Sequence, residues 1–211
     1  MQIDIIFDTT CPWCYIGKRR LEQALEGFPT VEVKPTWRPF LLYPEMPDSG
    51  ISRETYLVRK FGSEARVRRI YGAICDAGQS VEIDFEFDRI GHTPNTVDSH
   101  RLVRYSARSD QAGNAVEALF YNYFVNGKNI GDRAVLLAVG RDLGLDPDSL
   151  AAYLESDEDV ALIHDENARA HRLGINGVPS FLVNERHVIS GAQESQVLAR
   201  VLDVALAEAA A

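Results

Sequence analysis

The chain has 211 residues, 45% of them hydrophobic and 25% charged, the composition of a soluble globular protein with enough apolar material for a substantial core. Lys and Arg total 22 against 31 Asp and Glu, and the resulting net charge of -9 excludes nucleic acid and anionic membrane as expected partners. No stretch approaches the ~20 apolar residues of a membrane span, and "MQIDIIFDTT" lacks the basic start and apolar run of a signal peptide, so the expected location is cytoplasmic.

Gln2 to Asp8 is a short apolar run of strand length, and Val31, Val33 and Trp37 alternate with Glu32, Lys34 and Arg38 as a second strand would. Between them Cys14, Gly17, Leu21, Ala24, Leu25 and Phe28 fall on one face of a helix. A strand, helix, strand opening predicts a right-handed βαβ unit with a parallel pair. After "RPFLLYPEMPDSG" strand signals stop and the middle reads as helical. Val67, Ile70, Tyr71, Ile74 and Cys75 share one helix face; Ala112, Ala115, Val116, Leu119, Phe120 and Tyr123 share another. Asp146-Pro147 begins a further helix with a cap and a proline at its first position. Ser156 and Asp159 predict a capped start for the next, which stops at Gly174. Strands return as "SFLVN" and "HVIS" around Glu185-Arg186 in hairpin fashion, followed by a last helix marked by Val197, Leu198, Val201, Leu202 and Ala205. The pattern is an α/β domain interrupted by a helical insertion, with boundaries at 1–44, 45–156 and 157–211.

The chemistry concentrates in Cys11-Pro12-Trp13-Cys14. Cys11 stands at the strand-to-helix turn, where free backbone N–H groups and the positive end of the helix dipole favour an anion. Pro12 occupies a position where its missing N–H costs nothing. Cys14, one turn inward, is expected to be the more buried of the two, leaving Cys11 as the exposed attacker. Residues i and i+3 of a helix lie within the span a disulfide tolerates. A structural zinc site ordinarily needs four ligands, and the chain offers no second C-x-x-C and no H-x₃₋₅-H, so no metal is expected. Val178-Pro179, inside "GVPSF", opens the third strand; beyond a simple turn, the reading is a cis proline whose preceding residue presents N–H and C=O groups toward the cysteines.

"CPWC" after a first strand, a long helical stretch and "GVPSF" before a terminal ββα unit resemble the DsbA-like branch of the thioredoxin superfamily. More closely, "CPWCYIGKRRL", "PNTVDSHRL", "ALFYNYF", "IGDRAVL", "GINGVPSFLV" and "ISGAQ" are similar to FrnE-type proteins, from about Ile5 to the C-terminal helix. The resemblance implies a thioredoxin-like fold with a large α-helical domain inserted between its βαβ and ββα halves. It implies Cys11 as nucleophile, Cys14 as resolving thiol and Val178-Pro179 as the cis-proline loop. Pro12, Trp13, Val178 and Pro179 are then the candidate substrate-contacting residues. Related kappa-class glutathione transferases and 2-hydroxychromene-2-carboxylate isomerases use serine in place of Cys11 and a Ser-Asp pair where this chain has Ala192-Gln193.

Among the remaining candidates, Cys75 on its apolar helix face reads as an inert core thiol. Trp13 reads equally as a cover for the helix end or a substrate-contacting surface. Asn95, Thr96, Asp98 and His100 read as an N-capped helix start, with Asn95 or Thr96 the cap, ahead of a cleft beside the cysteines. Lys18, Arg19 and Arg20 read as solvated. The expected function is a thiol-disulfide oxidoreductase or isomerase acting on protein or low-molecular-weight disulfides, with no tightly bound cofactor and glutathione as a candidate co-substrate. The runner-up is a glutathione-dependent isomerase or transferase of small aromatic compounds. The sequence carries no signal for oligomeric state.

Overall fold

The computed structural model describes residues 1–209. A four-stranded sheet in the order β2-β1-β5-β6 is assembled from both ends of the chain: β1 (Gln2–Phe7), β2 (Lys34–Pro39), β5 (Ser180–Val183) and β6 (His187–Ser190). β1 pairs parallel with β2 across α1 (Pro12–Leu25) and antiparallel with β5, and β5 pairs antiparallel with β6. The βαβ opening and the hairpin are therefore present as expected. β1 is the inner strand that joins the two ends, and five of its six residues are buried. Ile3, Ile5 and Phe7 enter the main core, while Ile6 points to the opposite face with Phe40, Ala170 and Ile175, as the two-residue period of a strand requires.

β2 begins at Lys34, later than the alternation from Val31 predicts. Lys34 N–H donates to the Met1 carbonyl at 2.9 Å and Phe40 N–H to the Phe7 carbonyl at 2.8 Å. Even-numbered N–H groups thus face β1, and Pro35 and Pro39 fall where an N–H would point off the sheet. Prolines at those positions blunt the edge against pairing with another chain.

Residues between β2 and β5 form α2 (Arg53–Phe61), α3 (Glu64–Gln79), α4 (Val97–Ser106), α5 (Ala112–Phe124), α6 (Arg133–Asp142), α7 (Pro147–Glu155) and α8 (Val160–Arg172); α9 (Ser195–Ala209) comes after β6. Among the described residues no helix is long and apolar enough to cross a membrane. Asp146 caps α7 through Ser149 N–H with Pro147 at the first helical position, as expected. Two expectations are corrected. The middle carries a small antiparallel pair, β3 (Ile51–Ser52) with β4 (His92–Thr93), too short to leave a periodic signal. The start of α8 has no side-chain cap: Asp159 adopts a left-handed conformation and its carboxylate accepts instead from Tyr153 Oη at 2.9 Å and pairs with Arg104 at 2.8 Å, while Ser156 ends α7.

The active helix is bound to the helical part by apolar and charged contacts together. Tyr15 on α1 stacks on Phe120 of α5 with centroids 5.0 Å apart. Its hydroxyl donates to Glu117 at 2.7 Å, the other Glu117 oxygen accepts from Lys18 at 2.7 Å, and Arg19 joins the same carboxylate. Burial alone would raise the Glu117 carboxyl, but Lys18, Tyr15 and Arg19 hold it below the usual carboxylate range.

Arg101 is the largest fully buried side chain among the described residues. Its guanidinium donates to the carbonyls of Tyr153, Leu154, Ser156 and Glu158 and pairs with Asp98 at 2.7 Å, so it closes the C-terminal end of α7 against α4. Arg101→Met keeps the apolar stem but removes a donor from four carbonyls, of which, among the described residues, only Tyr153 keeps a second partner, the Ser156 hydroxyl. Each such group costs about 1–3 kcal/mol, so the variant is expected to lose at least about 3 kcal/mol, read from urea unfolding.

Candidate active site at the tip of the first helix

β1 ends at Phe7, and the turn Asp8-Thr9-Thr10 delivers the chain to α1. Cys11 N–H donates to the Asp8 carbonyl at 3.0 Å, and the Cys11 carbonyl accepts from Cys14 N–H at 3.0 Å. Cys11 is therefore the cap residue, in an extended conformation, with Pro12 at the first helical position and no acidic side chain in the first turn to oppose an anion. The turn is fixed from outside: Thr9 and Ser99 share a hydroxyl hydrogen bond of 2.7 Å, and the Asp8 carboxylate accepts from Thr10 N–H, Thr10 Oγ1 and Leu42 N–H at 2.9, 2.9 and 2.7 Å.

Both cysteines are free thiols and both are enclosed, Cys11 at 4% and Cys14 at 2% exposure. Cys11 is thus less open than its place at the helix tip predicts. The reason lies across the fold, where the Cys11 thiol faces the Val178 carbonyl at 3.6 Å. The Val178-Pro179 bond is cis, as expected; Val178 is half-buried and Pro179 buried. Of the motif's two intervening residues, Pro12 is half-buried and Trp13 is exposed. Burial pushes the Cys14 thiol well up, and the adjoining Cys11 side chain adds to the effect. Cys14 is therefore a neutral thiol at neutral pH.

Gly17 is one contributor that the sequence alone presents only as a helix-face residue. A Cβ there would lie 2.8 Å from Pro179 Cγ and 3.2 Å from Phe181 Cζ, so only glycine lets α1 lie this close to the loop that faces Cys11. Asp8 is another. A third lies on α2: Tyr56 and Lys60, joined by a 2.6 Å hydrogen bond from the ammonium to the phenol, sit within electrostatic reach of both Cys11 and Asp8. Burial pushes Tyr56 up to about 12, while burial lowers Lys60 and the charges of Cys11 and Asp8 partly offset that. The helix is seated by Arg53, which donates to Tyr71 Oη at 2.7 Å and to Tyr123 Oη at 3.2 Å.

Lys18 and Arg20 are not solvated. Lys18 is buried between Glu22 and Glu117, and Arg20 binds the Ala192 carbonyl at 2.6 Å and Glu194 at 2.7 Å, so both charges are matched. In "PNTVDSHRL", Asn95 accepts from Val97 N–H and donates to the Met46 carbonyl, Asp98 pairs with Arg101, and Thr96 lends no side-chain cap. The helix-start role thus falls to Asn95. His100 is buried with its ring 4.9 Å edge-on from Phe7, and neither ring nitrogen has a hydrogen-bond partner among the described residues. Cys75 is half-buried, and its thiol is raised by burial and by Asp76, Asp88 and Glu86. Among the described residues no three His, Cys, Asp or Glu side chains are arranged to hold a metal ion.

Two thiols at a helix tip, one facing a backbone carbonyl and one behind it, can exchange a disulfide with an extended substrate laid beside Val178. Residues 2–203 match the DSBA-like thioredoxin domain. The chain belongs to that family. Its structure superposes on a probable DsbA oxidoreductase, SCO1869 of Streptomyces coelicolor, with a TM-score of 0.90 at 26% identity, covering 99% of this chain and 91% of the other. Two more distant structures share the DSBA-like fold. A 2-hydroxychromene-2-carboxylate isomerase aligns with a TM-score of 0.76 at 17% identity, covering 100% and 98% of the two chains. The cytosolic disulfide reductase DsbM of Pseudomonas aeruginosa, solved with glutathione, aligns with a TM-score of 0.68 at 19% identity, covering 98% and 99%.

Gly17 and His100 each carry a measurable expectation. Gly17→Ala gains about 1 kcal/mol of helix propensity, but the contact with Pro179 costs about 1–3 kcal/mol as overpacking; the variant should be no more stable than wild type by urea unfolding and should turn over disulfide more slowly. Burial lowers the His100 pKa below its ordinary 6.5, so the unfolded chain binds that proton more readily than the folded one. Its contribution to stability is present above pH about 6.5 and is lost as pH falls below it; His100→Phe should flatten that acid limb in pH-resolved unfolding curves.

Proposed function

We propose that this DSBA-like chain is a thiol-disulfide oxidoreductase or isomerase that works through the Cys11-Cys14 dithiol and a mixed-disulfide intermediate. The observation that carries the reading is the placement of the Cys11 thiol against the Val178 carbonyl with Cys14 buried behind it. Cys11, as thiolate, attacks one sulfur of a substrate disulfide; the substrate S–S bond breaks, a Cys11–substrate disulfide forms and the first substrate thiolate leaves. Cys14 then loses its proton and attacks the Cys11 sulfur. The mixed disulfide breaks, the second substrate thiol leaves, and the Cys11–Cys14 disulfide holds the two electrons' worth of oxidation. The reverse sequence donates a disulfide, and the compartment's redox poise against that of the pair sets the direction.

Pro12, Trp13, Val178 and Pro179 are the proposed contacts for the substrate, a protein or low-molecular-weight disulfide. Trp13 supplies exposed aromatic surface and the Val178 backbone supplies the polar edge for an extended chain. Glutathione is the proposed co-substrate and the cytoplasm the proposed location, supported by the shared fold with DsbM, a cytosolic reductase solved with glutathione. The FrnE-type motifs support the dithiol-disulfide reaction itself. An isomerase or transferase activity on aromatic compounds is less well supported. Cysteine stands at position 11, and the start of α9 has the Ala192 carbonyl occupied by Arg20 and the Gln193 side chain turned to the Ser190 carbonyl at 2.8 Å.

The two cysteines are predicted to fail differently. Cys11→Ser should abolish disulfide reduction and covalent capture of substrate. Cys14→Ala keeps the attacker and removes the group that releases the mixed disulfide, so glutathione or substrate should accumulate on Cys11, visible by intact mass and reversed by a strong reductant. Capture by Cys11→Ser but not by Cys14→Ala would reverse the roles, and no effect of either change on any thiol reaction would remove the oxidoreductase reading.

A further inference from the structure

Two side chains with buried, unpartnered nitrogens that the dithiol does not use lie on one cleft. His100, 1% exposed, has no hydrogen bond at either ring nitrogen, and the buried indole Nε1 of Trp37 has none either, among the described residues. Both residues line a cavity of about 260 Å³ that runs along the outer edge of β2, between α4, α8 and the start of α5. Cys11, Cys14, Val178 and Pro179 are not among its walls. We propose that this cleft binds a small organic carboxylate, at a site separate from the dithiol and independent of its chemistry.

A buried polar group without a partner costs about 1–3 kcal/mol, and two that border the same space point to an occupant that pairs with them. The charge of that occupant follows from what stands beside them. α5, 13 residues long, starts without a side-chain cap and with no acidic residue in its first turn, so its leading N–H groups and its dipole favour an anion. Its first residue, Ala112, lines the cleft, and Trp37 Nε1 is 3.9 Å from the point that a Cβ on Gly113 would occupy, which sets the indole N–H beside that helix end. α4 brings His100, Val103, Arg104 and Ala107 to the cleft, the i, i+3, i+4, i+7 stripe of one helix face, so a guanidinium stands on the same side as the imidazole. Arg104 pairs with Asp159 through Nε at 2.8 Å, and its two terminal nitrogens make no hydrogen bond among the described residues. His100, kept neutral by burial, can turn one N–H to an oxygen; the Phe40 carbonyl acts on the ring without a hydrogen bond to either nitrogen. Two carboxylates also border the space. Glu166 is shared by Arg38 and Arg169 at 3.7 Å each, and Asp110 is exposed and caps none of the α5 N–H groups, so the charge left unmatched is the positive end of α5. Phe7, Pro35, Pro39, Val103 and Leu162 supply apolar walls for the body of the ligand. Pro35 and Pro39 lack the N–H groups that an added strand needs, which makes the edge unsuited to an extended peptide. A cavity below the ~300 Å³ at which drug-sized pockets begin suits a small molecule.

The test titrates the full reduced chain, labelled with ¹⁵N, with acetate, benzoate and phenylacetate, and with benzamide as the uncharged counterpart of benzoate. The chain has two tryptophans, so the indole N–H of Trp13, in the cysteine motif, is an internal control for that of Trp37. At least one carboxylate should shift the Trp37 indole and the Ala112 and Gly113 amides along one saturable curve, with a dissociation constant of about 1 mM or below, and leave the Trp13 indole in place. Trp37→Phe keeps a ring against Phe7 and removes the donor, and Arg104→Gln removes the charge; each variant, and the use of benzamide with the wild type, should weaken binding by about tenfold or more, read at the Ala112 and Gly113 amides. The wild-type titration decides without either variant. Shifts that do not saturate overturn the proposal, because the cleft then holds water alone. Shifts that follow Trp13 as closely as Trp37 place the carboxylate at the dithiol face, and equal binding of benzamide shows that charge is not recognised; either result overturns it, as does unchanged affinity in either variant. None of these outcomes bears on the disulfide chemistry of Cys11 and Cys14.

Discussion

The site depends on how closely α1 can lie against the loop before β5. Cys11 and Val178 are 167 residues apart in sequence, and they meet because Gly17, one turn past Cys14, presents no side chain to Pro179 and Phe181. A glycine inside a helix costs about 1 kcal/mol relative to alanine. That cost is offset by the close approach it permits: a helix pressed on the β5 end of the sheet, a thiol aimed at a backbone carbonyl, and a second thiol sealed behind the first. β1 makes the same join from below, with one edge on β2 and the other on β5, so both ends of the chain are held by one buried strand.

Helices are tied to one another by charges placed where water is largely excluded. Lys18 and Arg20 on α1, Arg53 on α2 and Arg101 on α4 are all at most 8% exposed, and each is matched by carboxylates, carbonyls or phenols. Such arrangements contribute little net energy compared with apolar packing, but a wrong alignment leaves a buried charge without a partner. They act chiefly on register. Tyr15, Lys18 and Arg19 converge on Glu117 only when α1 and α5 are correctly aligned, which sets the orientation of the face that carries Cys14.

Features whose partners are close in sequence are the ones legible in it. The cap at Asp146 with Pro147, the hairpin around Glu185-Arg186 and the seat of Cys11 with Pro12 each depend on residues within a few positions of one another. The family motifs add Val178-Pro179. The features that escape a reading of the sequence are non-local. Asp8 reads as the polar end of a strand until Leu42 is brought to it, and Gly17 reads as one more small residue on a helix face until Pro179 arrives. Lys18 and Arg20 look solvated because their partners, Glu117 and Glu194, are 99 and 174 positions away. The signal that could have marked Asp8 is an acidic residue continuing an otherwise apolar run directly into the cysteine turn.

The enclosure of Cys11 changes how selectivity should be understood. An open thiol at a helix tip would meet any disulfide that diffuses to it, whereas in the proposed reaction a thiol at 4% exposure and against Val178 favours a sulfur carried on a segment able to lie along that loop. Exposed Trp13 stands two residues from Cys11, and the Tyr56–Lys60 pair lies within electrostatic reach of the same thiol, one apolar and one cationic. In the proposed dithiol reaction burial separates the two chemical steps: the mixed disulfide forms at Cys11 beside Val178, and its release waits for Cys14, a thiol that must ionise in the interior.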